Sequence, residues 1–208
     1  MSTLRAEVVK VEVAPHPNAD RLDLCKVKGW QCVAVKDQFK SGDLAVYIPI
    51  DSVLTPELVA RLGIEKMYHR RIKTVKLRGY ISQGLLMGFD DFCSYAGSKL
   101  RYPTQLGSEV TEELGITKYE EPIPIHMAGQ QLPEEPGMLR YTDIENIKNY
   151  PDVFAPGDIV IATEKIHGTN FRAARLNGNL FVGSHRLNLV RNEQNLYCRG
   201  ALKLNLDT

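Results

Sequence analysis

No stretch of these 208 residues is apolar for long enough to cross a bilayer, and the opening Met1-Ser2-Thr3-Leu4-Arg5-Ala6-Glu7 holds no apolar core of the secretory kind. Cysteine is scarce. Cys25, Cys32, Cys93 and Cys198 lack the paired spacing of a zinc site, and with no sign of secretion they read as reduced thiols in a cytoplasmic protein. No segment recurs at a useful period, so the chain is not built from repeated units. The net charge is only +1, which by itself does not mark a nucleic-acid binder. What is present, 43% apolar and 25% charged residues, suits a soluble globular protein of one large or two small domains.

The small net charge hides a segregation. Arg61 to Arg78 holds seven strong bases against Glu65 alone, whereas Tyr119 to Glu145 holds six acids and only Arg140. After Glu145 the balance turns basic again. Faces of one sign suit a protein that lays part of its surface on a phosphate backbone; solvated side chains are the plain alternative.

The first hundred residues predict a β-rich unit. Strands are expected over Ala6 to Val13, Leu22 to Val27, Cys32 to Val35, Leu44 to Ile50, Arg71 to Leu77 and Ile81 to Met87. Thr55-Pro56-Glu57 reads as a helix start, with threonine as N-cap and proline in the first turn, and the helix should end near Gly63. Short strands with one helix before the last pair point to a closed barrel of the OB type. Lys73, Lys76 and Arg78 cluster on one predicted strand and the turn after it, and are the candidate nucleic-acid contacts. Prolines and glycines crowd 119–138, which reads as a linker. The domains expected are therefore 1–118, OB-like, and 139–208 after the linker.

In the second domain the apolar, β-branched run Ile159-Val160-Ile161-Ala162 predicts a strand that delivers Lys165 to a pocket floor. Gly168 then lets the backbone bend or a ligand come close. A lysine amine becomes a nucleophile only when neutral, which at neutral pH costs roughly 4 kcal/mol from its ordinary pKa, so the site must supply burial or nearby cations. The plain alternative is an exposed lysine before an ordinary turn. Asn177-Gly178 predicts a tight hairpin whose paired residue numbers sum to 355, which would set Arg186 opposite Thr169 on the rim carrying Lys165.

Lys165-Ile166-His167-Gly168-Thr169-Asn170 resembles nucleotidyltransferase motif I of ATP-dependent RNA ligases, of the form Lys-x-His-Gly-Thr-Asn, and Tyr141…Ile144-Glu145-Asn146 is similar to the segment preceding it in the same enzymes. The stretch Val13 to Leu22, with Lys76-Leu77-Arg78-Gly79 and Ser82-Gln83-Gly84-Leu85-Leu86, looks like the OB-fold tRNA-binding modules of some aminoacyl-tRNA synthetases; RNA ligases of one nick-sealing type also carry an N-terminal OB domain. The resemblance implies a β-rich α+β chain: an OB-type barrel, then the N-terminal part of an α+β nucleotidyltransferase (ligase adenylation) domain. It implies ATP as cofactor, Mg2+, an RNA or nicked-duplex substrate and a lysyl-AMP intermediate on Lys165. It further implies His167 near the phosphates, Arg186 on the ribose or phosphate, and Asn170 on the ribose or acceptor phosphate. Glu164, Ile166, Ile144 and Glu145 would hold the adenine, and Gly168 would line the nucleotide site.

The pattern is incomplete. The downstream metal-ligand carboxylate, adenine-stacking aromatic and paired-lysine motifs of these ligases have not appeared by Thr208, so the metal ligands are unknown and a fragment of a longer ligase is expected. Ala201 to Leu206 alternates like a strand and would leave an unpaired edge. From another class, the alternative is a non-catalytic RNA-binding OB module. DNA ligases and capping enzymes usually carry aspartate where His167 stands, which argues against them.

Overall fold

A computed structural model describes residues 4–97, 103–120, 122, 131–139, 141, 144–165, 168–192 and 194–206. The chain divides into two compact units, Met1–Glu120 with Glu145–Asp158, and Glu121–Ile144 with Ile159–Thr208. Among the described residues no helix is long and apolar enough to cross a membrane.

The first unit is the OB-type barrel. Strands β1 (Glu7–Lys10), β5 (Leu44–Ile48) and β9 (Leu85–Gly88) form one antiparallel sheet, and β2 (Glu12–Pro15), β3 (Leu22–Val27) and β4 (Trp30–Val35) another. The expected strand Ala6 to Val13 is thus two strands that change sheet at Val11. There the ladder gives way to a bond from Val11 N–H to Asp43 O (3.0 Å) and one from Gly42 N–H to Val11 O (2.8 Å). Leu22 to Val27 is a strand as expected, while Leu44 to Ile50 stops at Ile48.

Residues of the β1-β5-β9 sheet are buried on both faces, which is why these strands read as continuous apolar runs. Val9, Ala45, Tyr47 and Leu86 point into the barrel with Val11, Cys25, Cys32 and Trp30. Their neighbours Val8, Val46, Ile48 and Met87 point the other way, onto α1 (Pro56–Arg61), α2 (Phe89–Ala96) and the segment carrying Val110, Leu114 and Ile116. That second layer, α2 included, was not expected from the sequence. Helix α1 starts where foreseen: Leu58 N–H donates to Thr55 Oγ1 at 3.2 Å.

The last expected barrel strands are shorter. Arg71 to Leu77 is strand only at β7 (Val75–Leu77). Before it Ile72 instead bonds the Asp51-Ser52 segment, Asp51 N–H donating to Ile72 O (2.8 Å) and Ile72 N–H to Ser52 O (2.9 Å), and the Arg71 guanidinium lies by Asp51 (3.3 Å) and over the Tyr119 ring (4.1 Å). Ile81 to Met87 is split into β8 (Tyr80–Ser82) and β9 by Gly84, whose φ is +117°. A Cβ there would sit 2.5 Å from the Tyr47 ring and 2.7 Å from Ile48 O, so the corner admits only glycine. Between these elements β6 (Ser52–Val53) pairs with β10 (Thr117–Lys118).

Residues 145–158 belong to this unit. Gly29 N–H donates to Lys148 O (2.9 Å), the Trp30 indole N–H to Asn149 Oδ1 (2.8 Å), and Lys148 Nζ to Gln83 Oε1 (3.0 Å). The Lys148 ammonium also lies 5.0 Å from the Trp30 ring centre.

In the second unit β12 (Arg172–Leu176) and β13 (Asn179–Gly183) form the hairpin about Asn177-Gly178, and every paired number sums to 355 as expected. Strand β14 (Asn188–Leu189) pairs with β13, and β11 (Gln131–Leu132) with β14. The expected strand at Ile159 to Ala162 is not formed: Ile159 is 98% exposed, Ile161 is 91% exposed, and among the described residues no ladder partner lies beside them. β-Branched side chains favour a pleated surface only when a neighbouring strand supplies one. Ala201 to Leu206 is likewise not a strand. Helix α3 (Leu196–Lys203) occupies its first half, capped by Asn195 Oδ1 accepting from Tyr197 N–H at 2.8 Å. Cys198 and Ala201, three apart, pack that helix on Val182 and Leu189.

Candidate functional site

Within the second unit, Lys165 and Glu164 stand exposed on the segment entering the hairpin, and among the described residues Lys165 makes no ion pair. The burial that its chemistry requires is therefore not supplied by the described residues. Ile166 and His167 lie outside them. Gly168 is open: a Cβ would meet nothing within 4 Å among the described residues, which leaves room for a ligand to approach.

The residues after Gly168 are held from α3. Thr169 Oγ1 and Tyr197 OH are 2.6 Å apart, and the Phe171 ring stacks on that of Tyr197 with centres 6.4 Å apart. Asn170 differs from its neighbours. Its Oδ1 is buried and has no hydrogen-bond donor among the described residues. An acceptor in that condition normally costs free energy unless a ligand or water completes it. Tyr197 was not singled out from the sequence, because nothing near residue 197 signals a helix aimed at residue 169.

Arg186 does not continue the ladder to Thr169. The strands stop pairing at Arg172↔Gly183, and the chain turns over Ser184–Leu187 into β14, with Ser184 N–H on Leu187 O (2.9 Å) and Leu187 N–H on Ser184 Oγ (3.3 Å). Arg186 is the exposed residue of that turn. Its neighbour His185 packs on Tyr141, ring centres 4.8 Å apart. Beside these residues an open cleft of about 670 Å³ is lined by Met138, Leu139, Tyr141, Ile144, Phe171 and Arg172. Ile144 thus faces a cavity, whereas Lys165 and Arg186 do not line it.

Glu145 belongs to the first unit, where its carboxylate accepts a short hydrogen bond from Tyr150 OH; that bond pushes the Tyr150 phenol above its ordinary pKa. Also in the first unit, Lys73, Lys76 and Arg78 are all exposed, on the approach to β7, on β7 and at the tip of the β7–β8 hairpin. The tip is clamped. Asn18 Nδ2 donates to Arg78 O (3.1 Å), the His16 ring Nε2 donates to Leu77 O (3.3 Å), and His16 Nδ1 accepts from Asn18 N–H (3.1 Å). These bonds are those of a ring that carries its proton on Nε2. Arg78 has φ +47° and Gly79 φ +97°, the left-handed pair of a tight hairpin. The two quoted OB segments therefore meet: one supplies the clamp and the other the turn it holds. Among the described residues no cluster of three or more His, Cys, Asp or Glu side chains could hold a metal ion.

A family model described as an OB-fold domain matches residues 5–89. Over nearly its whole length the chain is similar to the RNA ligase of Naegleria gruberi solved with pyrophosphate, at 29% identity and a TM-score of 0.75, covering 99% of this chain and 62% of that one. Mutants of the same ligase match similarly. One with ATP and Mn has a TM-score of 0.73, 29% identity and coverage of 97% and 61%; another with AMP and Mn gives the same four values. No curated protein sequence matches. The chain spans about 62% of the length of the ligase it matches. In fold it is similar to that RNA ligase: an OB-type barrel followed by a smaller β-rich α+β unit.

Proposed function

We propose that this chain is the nucleotide-accepting portion of an ATP-dependent RNA ligase, with Lys165 as nucleophile. One observation carries the reading: the Lys165 to Asn170 motif occurs in a chain whose fold is matched, at 29% identity, by an RNA ligase solved with ATP, AMP and pyrophosphate. The neutral amine of Lys165 attacks the α-phosphorus of ATP. A nitrogen–phosphorus bond forms as the bond to pyrophosphate breaks, and the amine proton leaves. The AMP then passes to a 5′-phosphate, and a 3′-hydroxyl displaces it to join the ends.

Asn170 Oδ1, buried without a donor, suits a ribose hydroxyl. The exposed guanidinium of Arg186, without an acceptor among the described residues, suits ribose or phosphate oxygens. Glu164, Ile166 and Ile144 hold the adenine, Gly168 gives the phosphates room, and His167 orients their oxygens. Lys73, Lys76 and Arg78 take the RNA backbone in the cytoplasm. A divalent ion, Mg2+ in the cell, would offset the charge of the nucleotide's phosphates; no residue is assigned to hold it.

The test is label transfer from α-labelled ATP to the chain in Mg2+ or Mn2+. Wild type should become labelled and Lys165→Ala should not; a folded wild type that stays unlabelled rejects the catalytic reading for this chain. The second reading, an RNA-binding OB module without catalysis, is favoured by the exposure of Lys165 and the clamped basic hairpin. It predicts salt-sensitive RNA binding that Lys165→Ala leaves untouched.

A further inference from the structure

Arg172 opens β12 opposite Gly183, and its guanidinium is spent within the second unit. Nε donates to Ser184 O (2.5 Å), Nη1 to Leu139 O (2.9 Å) and Nη2 to Asn188 Oδ1 (3.3 Å). One planar fork thus ties the first residue of the 184–187 turn to β14 and to the segment before the cleft. Gly183 completes the arrangement: a Cβ there would lie 2.4 Å from Leu187 O and 3.2 Å from Arg172 Nη2. Within this braced turn Ser184, His185 and Leu187 are half-buried, and Arg186 alone is exposed, with no acceptor among the described residues. A rigid turn that presents one uncommitted guanidinium is built to receive an anion, because little entropy is lost when the ligand arrives.

We infer that Arg172 is a positioning residue: it braces the Ser184–Leu187 turn so that Arg186 meets the phosphate or ribose oxygens of the nucleotide. The inference rests on the proposed function for the identity of the anion. Arg172 touches no reacting atom, and its effect passes through Arg186.

The experiment is a double-mutant cycle on the full 208-residue chain. ATP binding is followed by calorimetry and on the Arg186 Nε–Hε resonance, and melting temperatures are recorded alongside. Arg172→Lys keeps the charge but cannot span three acceptors, so the ATP dissociation constant should rise about tenfold, as it should for Arg186→Ala. With both changes it should rise no further than for Arg186→Ala alone. A purely structural role would instead lower the melting temperature and multiply the two binding losses, and that result, or wild-type affinity in Arg172→Lys, overturns the inference. If Arg172→Lys does not fold, Asn188→Ala removes one of the three acceptors and is read in the same cycle, with about a threefold loss expected that vanishes in the Arg186→Ala background. A chain that takes AMP on Lys165 while the Arg186 resonance ignores ATP sinks this inference and spares the function. A chain that shows the non-additive pattern but never acquires AMP does the reverse.

Discussion

The indole N–H of Trp30 donates to Asn149 Oδ1 across 2.8 Å, joining the first tight hairpin of the barrel to a segment 119 residues further along the chain. The contact is reinforced by close backbone approach, since a Cβ on Gly29 would lie 2.8 Å from Lys148 Cα and 2.9 Å from Lys148 O. Trp30→Phe should keep most of the ring packing and strand the Asn149 oxygen, costing about 1 kcal/mol in urea unfolding. Gly29→Ala should instead undock 145–150, seen as faster amide exchange at Lys148 and Asn149 with the barrel still folded. Unchanged exchange there would contradict the packing described.

The two glycines of the second unit's hairpin should behave differently. Gly178 has φ +79° with no described residue near its Cβ position, so Gly178→Ala should carry mainly backbone strain, about 1 kcal/mol. At Gly183 the obstacle is the backbone oxygen of Leu187, so Gly183→Ala should cost about 3 kcal/mol and move the 184–187 turn. Equal losses in the two melts would refute this.

How far these features were legible depends on how local their causes are. The Thr55 cap and the Asn177-Gly178 register were readable because a few adjacent residues fix them. The α2 layer was not, since it follows from Val8, Val46, Ile48 and Met87 needing cover on the far face of a sheet, and a continuous apolar run does not reveal what covers it. Ala201 to Leu206 misled because leucines at alternate positions resemble a strand, while the helix is set by Asn195 upstream and by Cys198 with Ala201. At the candidate site the motif residues are visible in the sequence, but the position of Arg186 is not: the 355 register holds only as far as Gly183, where the turn into β14 intervenes. Arg172, Tyr197 and the Tyr141–His185 pair act through contacts between distant segments, which spacing does not show.

Barrel stability should fall in alkali. Burial pushes the Cys25 thiol up to about 11, helped by the Asp23 charge, and the Cys32 thiol up to about 12, helped by Cys25, from an ordinary 9.0. Burial raises the Tyr47 phenol as well. Each raised thiol stays neutral in the folded chain while the unfolded chain ionises, so its contribution is full below about pH 9 and is lost as pH rises towards 11 and 12; Tyr47 adds to the same decline at higher pH. Urea midpoints across that window should decline, and Cys25→Ala with Cys32→Ala should flatten the decline. A flat profile in the wild type would contradict the burial assigned to these thiols.

RNA binding should read the clamped hairpin. If Lys73, Lys76 and Arg78 each meet a phosphate, replacing all three with alanine should reduce the salt slope of single-strand RNA binding by about 2. Asn18→Ala should weaken binding without changing that slope, since it loosens the Arg78-Gly79 tip and removes no charge. A slope unaltered by the triple change would place the RNA elsewhere.

The most direct measurement is peptide mapping by tandem mass spectrometry after incubation with ATP and a divalent cation. The account predicts one AMP per chain, acid-labile as a phosphoramidate and carried on Lys165. AMP found on another residue, or a folded chain that carries none while a Lys165→Ala chain binds RNA as tightly as wild type, would contradict it.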